Sequence, residues 1–404
     1  MLSLAFCLLL SSGGGVAPLA SPLEGQPSLE WKSRSYDLED LPEELGPGPA
    51  AAAGAWADWV LEHNYQMHLD ADGRVLLISS KKNRKWKRQL RLIAETSELF
   101  DELLPLPSRE EAQDAADEPQ PEDGEPLPED PEGGPVGWGS GGSKPTLESY
   151  SYEWGAGTWP LETETCVMFV AHNEEDYGAL LAHLGELESY LKPWLKSAGR
   201  FAGFVLEKPL IGAYIENASG MEEWDPENEV VNRVAQMLFV RRFSQQPFWL
   251  LMGLAWHMEM EIRRGIYSFP YREGFVWASE HTAWASVLRV RFGARKQEPL
   301  GLDEFAHWKR GEYIDELAKV SFGLVRFFVR HHRMSLSAFV EELRLFRGEH
   351  SRVDLGDGTW QFKPDYRVSD ADLTRLLKAH FRPSVLQDAA DYFRKGERYR
   401  LSRP

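Results

Sequence analysis

The chain has 404 residues, 43% of them apolar and 12% aromatic, so it can bury a large core and is not a fully disordered chain. Lysine and arginine number 45 against 63 aspartates and glutamates, a formal charge of −18 that argues against a general nucleic-acid binder. That charge is concentrated: from Ser108 to Pro135 eleven acids stand against Arg109 alone, and the rest of the chain is mildly acidic and names no partner.

Taken from the N-terminus, residues 1–20 read as a signal peptide and predict export to a periplasmic or extracellular location. Leu2 to Leu10 is an apolar run too short to span a bilayer, Ser11 to Gly15 are small, and cleavage is expected after Ala20. Cys7 lies in that run, so its removal would leave Cys166 alone and no intramolecular disulfide. The longest apolar run elsewhere, Phe248 to Met258, has eleven residues and includes His257, so an integral membrane protein is not expected.

Residues 21–55 mix proline, glycine, alanine and acids without a period and read as a flexible leader. Structure is expected to start near Trp56, with residues 56–105 forming a β-hairpin plus a helix in the same domain as the C-terminal part. Tyr65, Met67 and Leu69 alternate with polar positions, Asp70-Ala71-Asp72-Gly73 is a turn signal, and Val75 to Ile78 is β-rich. Trp86, Leu90, Ile93, Phe100 and Leu104 then recur at helical spacing, interrupted by Ser97. The lysines and arginines between Lys81 and Arg88 read as a solvated face, or as one half of an intramolecular clamp onto the acidic segment. That segment, residues 106–146, is rich in acids, proline and glycine, cannot supply a core, and reads as a disordered linker.

In the remaining unit, residues 147–404, Cys166 to Ala171 reads as a strand, Asp176 to Leu195 as a helix, and Phe201 to Leu206 and Ile211 to Glu216 as two further strands. Beyond Asp225 the pattern is helical, apart from loops near Gly293 to Gly301 and Gly348 to Asp365. A small β-sheet followed by a mostly helical half gives an α+β fold class.

Asp225-Pro226-Glu227 is a helix start, with a capping acid, proline at the first helical position and a further acid in the first turn. Val230, Val231, Val234, Ala235, Leu238 and Phe239 continue it, and Asn232 and Gln236, four apart, share a face. A second start at Pro247 opens a run through Trp249, Met252, Trp256 and His257 to Glu259. The two helices present Asn232, Gln236 and Met252 where they can converge.

Here the sequence resembles the thermolysin-like gluzincin metallopeptidases, and in particular the bacterial peptidase MA-like domains, over roughly Glu162 to Arg394. In that family the first helix carries His-Glu-x-x-His, two zinc ligands one turn apart with the general-base Glu between them, and the second carries the third ligand in Trp-Leu-x-Glu-Gly-x-Ala. The resemblance places Asn232, Arg233 and Gln236 at the positions of the first histidine, the general base and the second histidine. It places Met252, within Trp249-Leu250-Leu251-Met252-Gly253-Leu254-Ala255, at the third ligand, and Glu259 at a downstream Glu. It implies a zincin-like fold with zinc as cofactor, but two neutral amides and a thioether are poor zinc donors, and a guanidinium cannot take a proton from metal-bound water. No cofactor and no catalytic residue is therefore expected at these four positions.

The leading expectation is an exported, non-catalytic pseudo-protease whose former cleft either binds a peptide or protein or is lost to packing. The bland alternative is a packed helix pair with no such ancestry. A second is a hydrolase with a relocated metal or acid/base site drawn from His257, Glu259, Glu280 and His281, and a third is an interaction module that works through its acidic linker.

Overall fold

The chain first builds a strand pair. In the computed structural model, which describes residues 27–105, 164–201, 203–207, 209–218, 225–244, 246–269, 282–293, 300, 315–350, 352–354, 360–362 and 368–399, β1 (Ser28–Trp31) folds back antiparallel on β2 (Arg34–Asp37). The connecting Lys32 and Ser33 both have positive φ, 48° and 64°, a turn whose twist suits the paired strands although neither residue is glycine or asparagine. β1 also runs parallel to β3 (Tyr65–Leu69), and α1 (Pro47–Glu62) starts on the prolines of the same stretch and buries Trp56, Trp59 and Val60. The stretch 21–55, expected to be a flexible leader, is therefore part of the fold from Ser28 onward. The expectations for residues 1–20 and 106–146 fall outside the described residues.

β3 and β4 (Val75–Ser80) form the expected antiparallel hairpin, and the Asp70 carboxylate accepts the Val75 N–H at 2.9 Å across its turn. β5 (Cys166–Ala171), β6 (Gly203–Leu206) and β7 (Ile211–Ile215) complete a seven-stranded mixed sheet in the order β2-β1-β3-β4-β5-β7-β6. β4 and β5 carry apolar residues on both faces, because each face meets a different core. Val75, Leu77, Cys166, Met168 and Val170 pack with α2 (Trp86–Leu103) and the C-terminal helices. Leu76, Ile78, Val167, Phe169 and Ala171 pack with α1, α3 (Glu174–Leu187) and α4 (Lys192–Ala198).

The single helix expected over Asp176 to Leu195 is two. The chain leaves helical geometry at Glu188 (φ −130°, ψ 89°), makes a short 3-10 turn and restarts at Lys192. Pro193 explains the restart: in the first turn of α4 its missing N–H has no intrahelical role, whereas inside a continuous helix it would delete a hydrogen bond.

The C-terminal half contributes α5 (Pro226–Phe243), α6 (Phe248–Arg263), α7 (Trp284–Gly293), α8 (Asp315–His331), α9 (Arg333–His350), α10 (Asp370–His380) and α11 (Val385–Lys395). A two-stranded sheet, β8 (Arg352–Asp354) with β9 (Trp360–Phe362), stands in the stretch Gly348 to Asp365 that reads as a loop, since three-residue strands are too short for alternation to register. The fold is α+β and mostly helical. Asp225 caps α5 as expected, accepting the Glu227 N–H at 2.9 Å. α5 is buried along most of its length, between the sheet and α6. α6 in turn lies close against α8 through Gly253, where a Cβ would sit 2.6 Å from the Ser321 carbonyl oxygen and 2.7 Å from Val325 Cγ2.

Candidate functional site

α5 carries three amides at four-residue steps, Asn228, Asn232 and Gln236, and all three are buried. They face Glu259 of α6, itself 0% exposed. Asn232 Nδ2 donates to Glu259 Oε1 at 2.6 Å, and Asn228 Nδ2 donates to Oε2 at 2.7 Å and to the Gly265 carbonyl at 2.6 Å. The backbone N–H groups of Tyr267 (2.9 Å) and Ser268 (3.3 Å) also donate to Oε2, and Gln236 Nε2 donates to Asn232 Oδ1 at 2.5 Å. Trp256 Nε1 donates to the Ser268 carbonyl at 2.7 Å, so the turn after α6 is held from two sides. The result is a line of bonds, Gln236 to Asn232 to Glu259, inside the contact between α5 and α6.

Burial pushes the Glu259 carboxyl up to about 8; the bonds from Asn228 and Tyr267 pull the other way and the Glu229 charge adds to the rise. At neutral pH the group is therefore mostly protonated. A carboxyl shifted this way at the wall of a cleft would be a catalytic-acid candidate, but this one has no exposed surface. Among the described residues no basic group lies within ion-pair distance of it.

Arg233 belongs to a different neighbourhood. Its guanidinium pairs with Glu229, one turn earlier on α5, at 2.7 Å with both side chains almost wholly buried. Two strand glycines make room for it: a Cβ on Gly203 would lie 2.9 Å from Arg233 Nε, and one on Gly212 would lie 3.2 Å from Arg233 Cβ. Arg233 thus faces the sheet while Asn232 faces α6. Met252 is packed in the same core, 2% exposed.

The residues considered for a relocated site do not converge. His257 is buried, its Nδ1 has no hydrogen-bond partner among the described residues, and burial followed by the charges of Arg326 and Arg330 pushes its pKa down to about 3, so it is neutral and turned toward α8. Glu261, one turn on, pairs with the same Arg326 (3.5 Å) and Arg330 (3.4 Å). Glu259, two residues from His257, faces α5 instead. Glu280 and His281 lie outside the described residues. No group of three or more histidine, cysteine, aspartate or glutamate side chains suited to a metal ion occurs among the described residues.

Zinc does not fit the four positions of the resembled motif. The Asn232 oxygen already accepts from Gln236 and its nitrogen donates to Glu259, Met252 offers only a thioether, and Arg233 would put a cation beside the metal. Sequence reasoning missed Asn228 and Glu229. The signal for the first was the continuation of the Asn232–Gln236 spacing by one more turn, and for the second the Glu-to-Arg i,i+4 spacing at the head of the largely apolar run from Val230 to Val240. Compared with protein-family models and with curated proteins, the chain matches none.

Proposed function

We propose that the chain is an exported, non-catalytic, gluzincin-like protein whose former catalytic cleft is lost to packing between α5 and α6. The observation that carries the reading is how the motif positions are used: Asn232 and Gln236 are bonded to each other, Asn232 to Glu259, Arg233 to Glu229, and Met252 is core. Asn232 and Arg233, bonded within the fold and buried, and Met252, packed in the core, leave no cluster of good metal donors and no proton acceptor at these positions. The alignment behind the reading is supported by one contact, since Glu259, at the family's downstream Glu, is bonded to Asn232, at the position of its first histidine.

The test is a peptidase assay on the purified chain without residues 1–20, using an unfolded protein substrate and a mixed peptide library, with zinc and with a chelator. No hydrolysis above a buffer blank is expected in either condition. Hydrolysis that needs zinc and stops with chelator would overturn the proposal. Hydrolysis unaffected by chelator but abolished by His257→Ala would instead favour a relocated site.

A further inference from the structure

A second region of the molecule has unused chemistry and owes nothing to the proposed function. Between α7, α8 and the end of α11, followed by a 3-10 turn over Gly396–Arg398, lies an open cavity of about 680 Å³. Among the described residues six cations line it: Arg289 from α7, Arg326 and Arg330 from α8, Arg394 and Lys395 from α11, and Arg398 from the turn. Its floor is apolar, from Leu288, Phe322 and Phe393.

Among the described residues, the carboxylates that pair with these cations are fewer than the cations. Arg326 and Arg330 share Glu261, at 3.5 and 3.4 Å, and Arg394 and Lys395 share Asp391, at 2.7 and 3.6 Å. Arg289 and Arg398 have no carboxylate within ion-pair distance among the described residues. Helix geometry accounts for part of the set, because Arg330 on α8 and Arg394 and Lys395 on α11 stand in last turns, where the helix dipole favours cations. It does not account for Arg289 or Arg326. The field that remains is felt inside the protein, where Arg326 and Arg330 help to keep the buried His257 neutral.

The backbone is shaped to the same end. Gly396 caps α11 at φ 58°, and a Cβ there would lie 2.6 Å from Arg289 Nη2. The positive φ favours glycine here, and the Arg289 guanidinium lies against this turn beside the cavity. A concave surface where, among the described residues, arginine and lysine outnumber carboxylates concentrates anions even on a chain of net charge −18, and guanidinium forks match phosphate oxygens two at a time. The volume lies within the usual range for small-molecule sites, roughly 300–1,000 Å³, and is small for a folded partner.

We propose that this cavity binds a small molecule through a group of two or more phosphates, with Arg289, Arg326 and Arg398 as its principal contacts. The probe is inorganic pyrophosphate, titrated calorimetrically into the full chain at low salt and again at physiological salt. Saturable binding at one site per chain is expected, weaker at the higher salt and weakened at least about tenfold by Arg398→Glu or Arg289→Ala in protein whose melting temperature is unchanged. Lys81→Ala with Arg91→Ala, exposed cations that do not line the cavity, serves as the charge control and leaves binding intact.

Adenosine diphosphate binding more tightly than pyrophosphate would identify a nucleotide-borne source of the same chemistry, and equal affinity a bare one; both support the site. No saturation at millimolar pyrophosphate, or equal weakening by the control pair, would overturn it. So would binding that emerges only when residues 108–135 are deleted, since the chain's own acidic segment would then be the occupant.

Discussion

Replacing Glu259 by glutamine removes the ionisable group at the centre of the α5–α6 contact and keeps its shape. The amide oxygen can take the N–H groups of Asn228, Tyr267 and Ser268, and its NH2 can donate to Asn232 if the amides of Asn232 and Gln236 turn over together. The variant should therefore keep the network while losing its titration. An acid held above its ordinary pKa stabilises the fold least once ionised: below pH 4.5 it is neutral in both folded and unfolded chains, and from there to about pH 8 the unfolded chain ionises first, so stability falls as pH rises. The distance from 4.5 to about 8 corresponds to about 5 kcal/mol for this fully buried group, a large part of the 5–15 kcal/mol that holds a typical domain together.

The assay is urea unfolding of the wild-type chain and Glu259→Gln at several pH values between 5 and 8.5. The variant should gain on the wild type by several kcal/mol across that interval and reach a constant difference above about pH 8. Parallel curves would refute the reasoning. A wild type that gains on the variant with rising pH would show that the donated hydrogen bonds outweigh burial and that the carboxylate is held as an anion.

Three further outcomes follow from contacts in the fold. Arg233→Met removes the cation opposite Glu229 inside the protein and should cost about 3–5 kcal/mol, most of it recovered in Glu229→Leu/Arg233→Met; a double variant as unstable as the single one would deny that the pair is what matters. Gly253→Ala pushes a methyl against the Ser321 carbonyl and Val325 and should lower stability by about 1–3 kcal/mol, seen as a drop in melting temperature; an unchanged melt would mean that α6 and α8 can separate at no cost. Burial pushes the Cys166 thiol up to about 12, so in a Cys7→Ser chain a thiol reagent at pH 8 should react only after denaturant is added, and prompt labelling of native protein would contradict the buried placement of β5.

The parts of the fold that were legible in the sequence are those specified locally. The hairpin over Tyr65–Leu69 and Val75–Ser80 announces itself by alternation and by the Asp70–Gly73 turn, and α5 by Asp225-Pro226. β1 did not, because its turn uses Lys32 and Ser33 in place of the usual glycine or asparagine and its parallel partner β3 lies more than thirty residues away. Pro47 and Pro49 read as marks of an irregular leader, yet proline in a first helical turn is favourable and here opens α1. At the site, the shared face of Asn232 and Gln236 follows from their spacing. That Glu259 would close the network from α6, and that His257 two residues before it would face α8, depends on how the helices cross, which periodicity within one helix does not encode. The basic cavity was invisible for the same reason: Arg289, Arg326 and Arg398 are scattered over more than a hundred residues and meet only through the packing of α7, α8 and α11.

The central claim, that the motif positions are spent on internal contacts, is tested most directly by zinc itself. The purified chain is dialysed free of metal, its metal content determined, and its unfolding followed by calorimetry as zinc is added. The account predicts no stoichiometric zinc and no rise in melting temperature, because Asn232, Gln236 and Met252 offer neutral donors that are already bonded or packed. One tightly held zinc per chain with a raised melting temperature would contradict it.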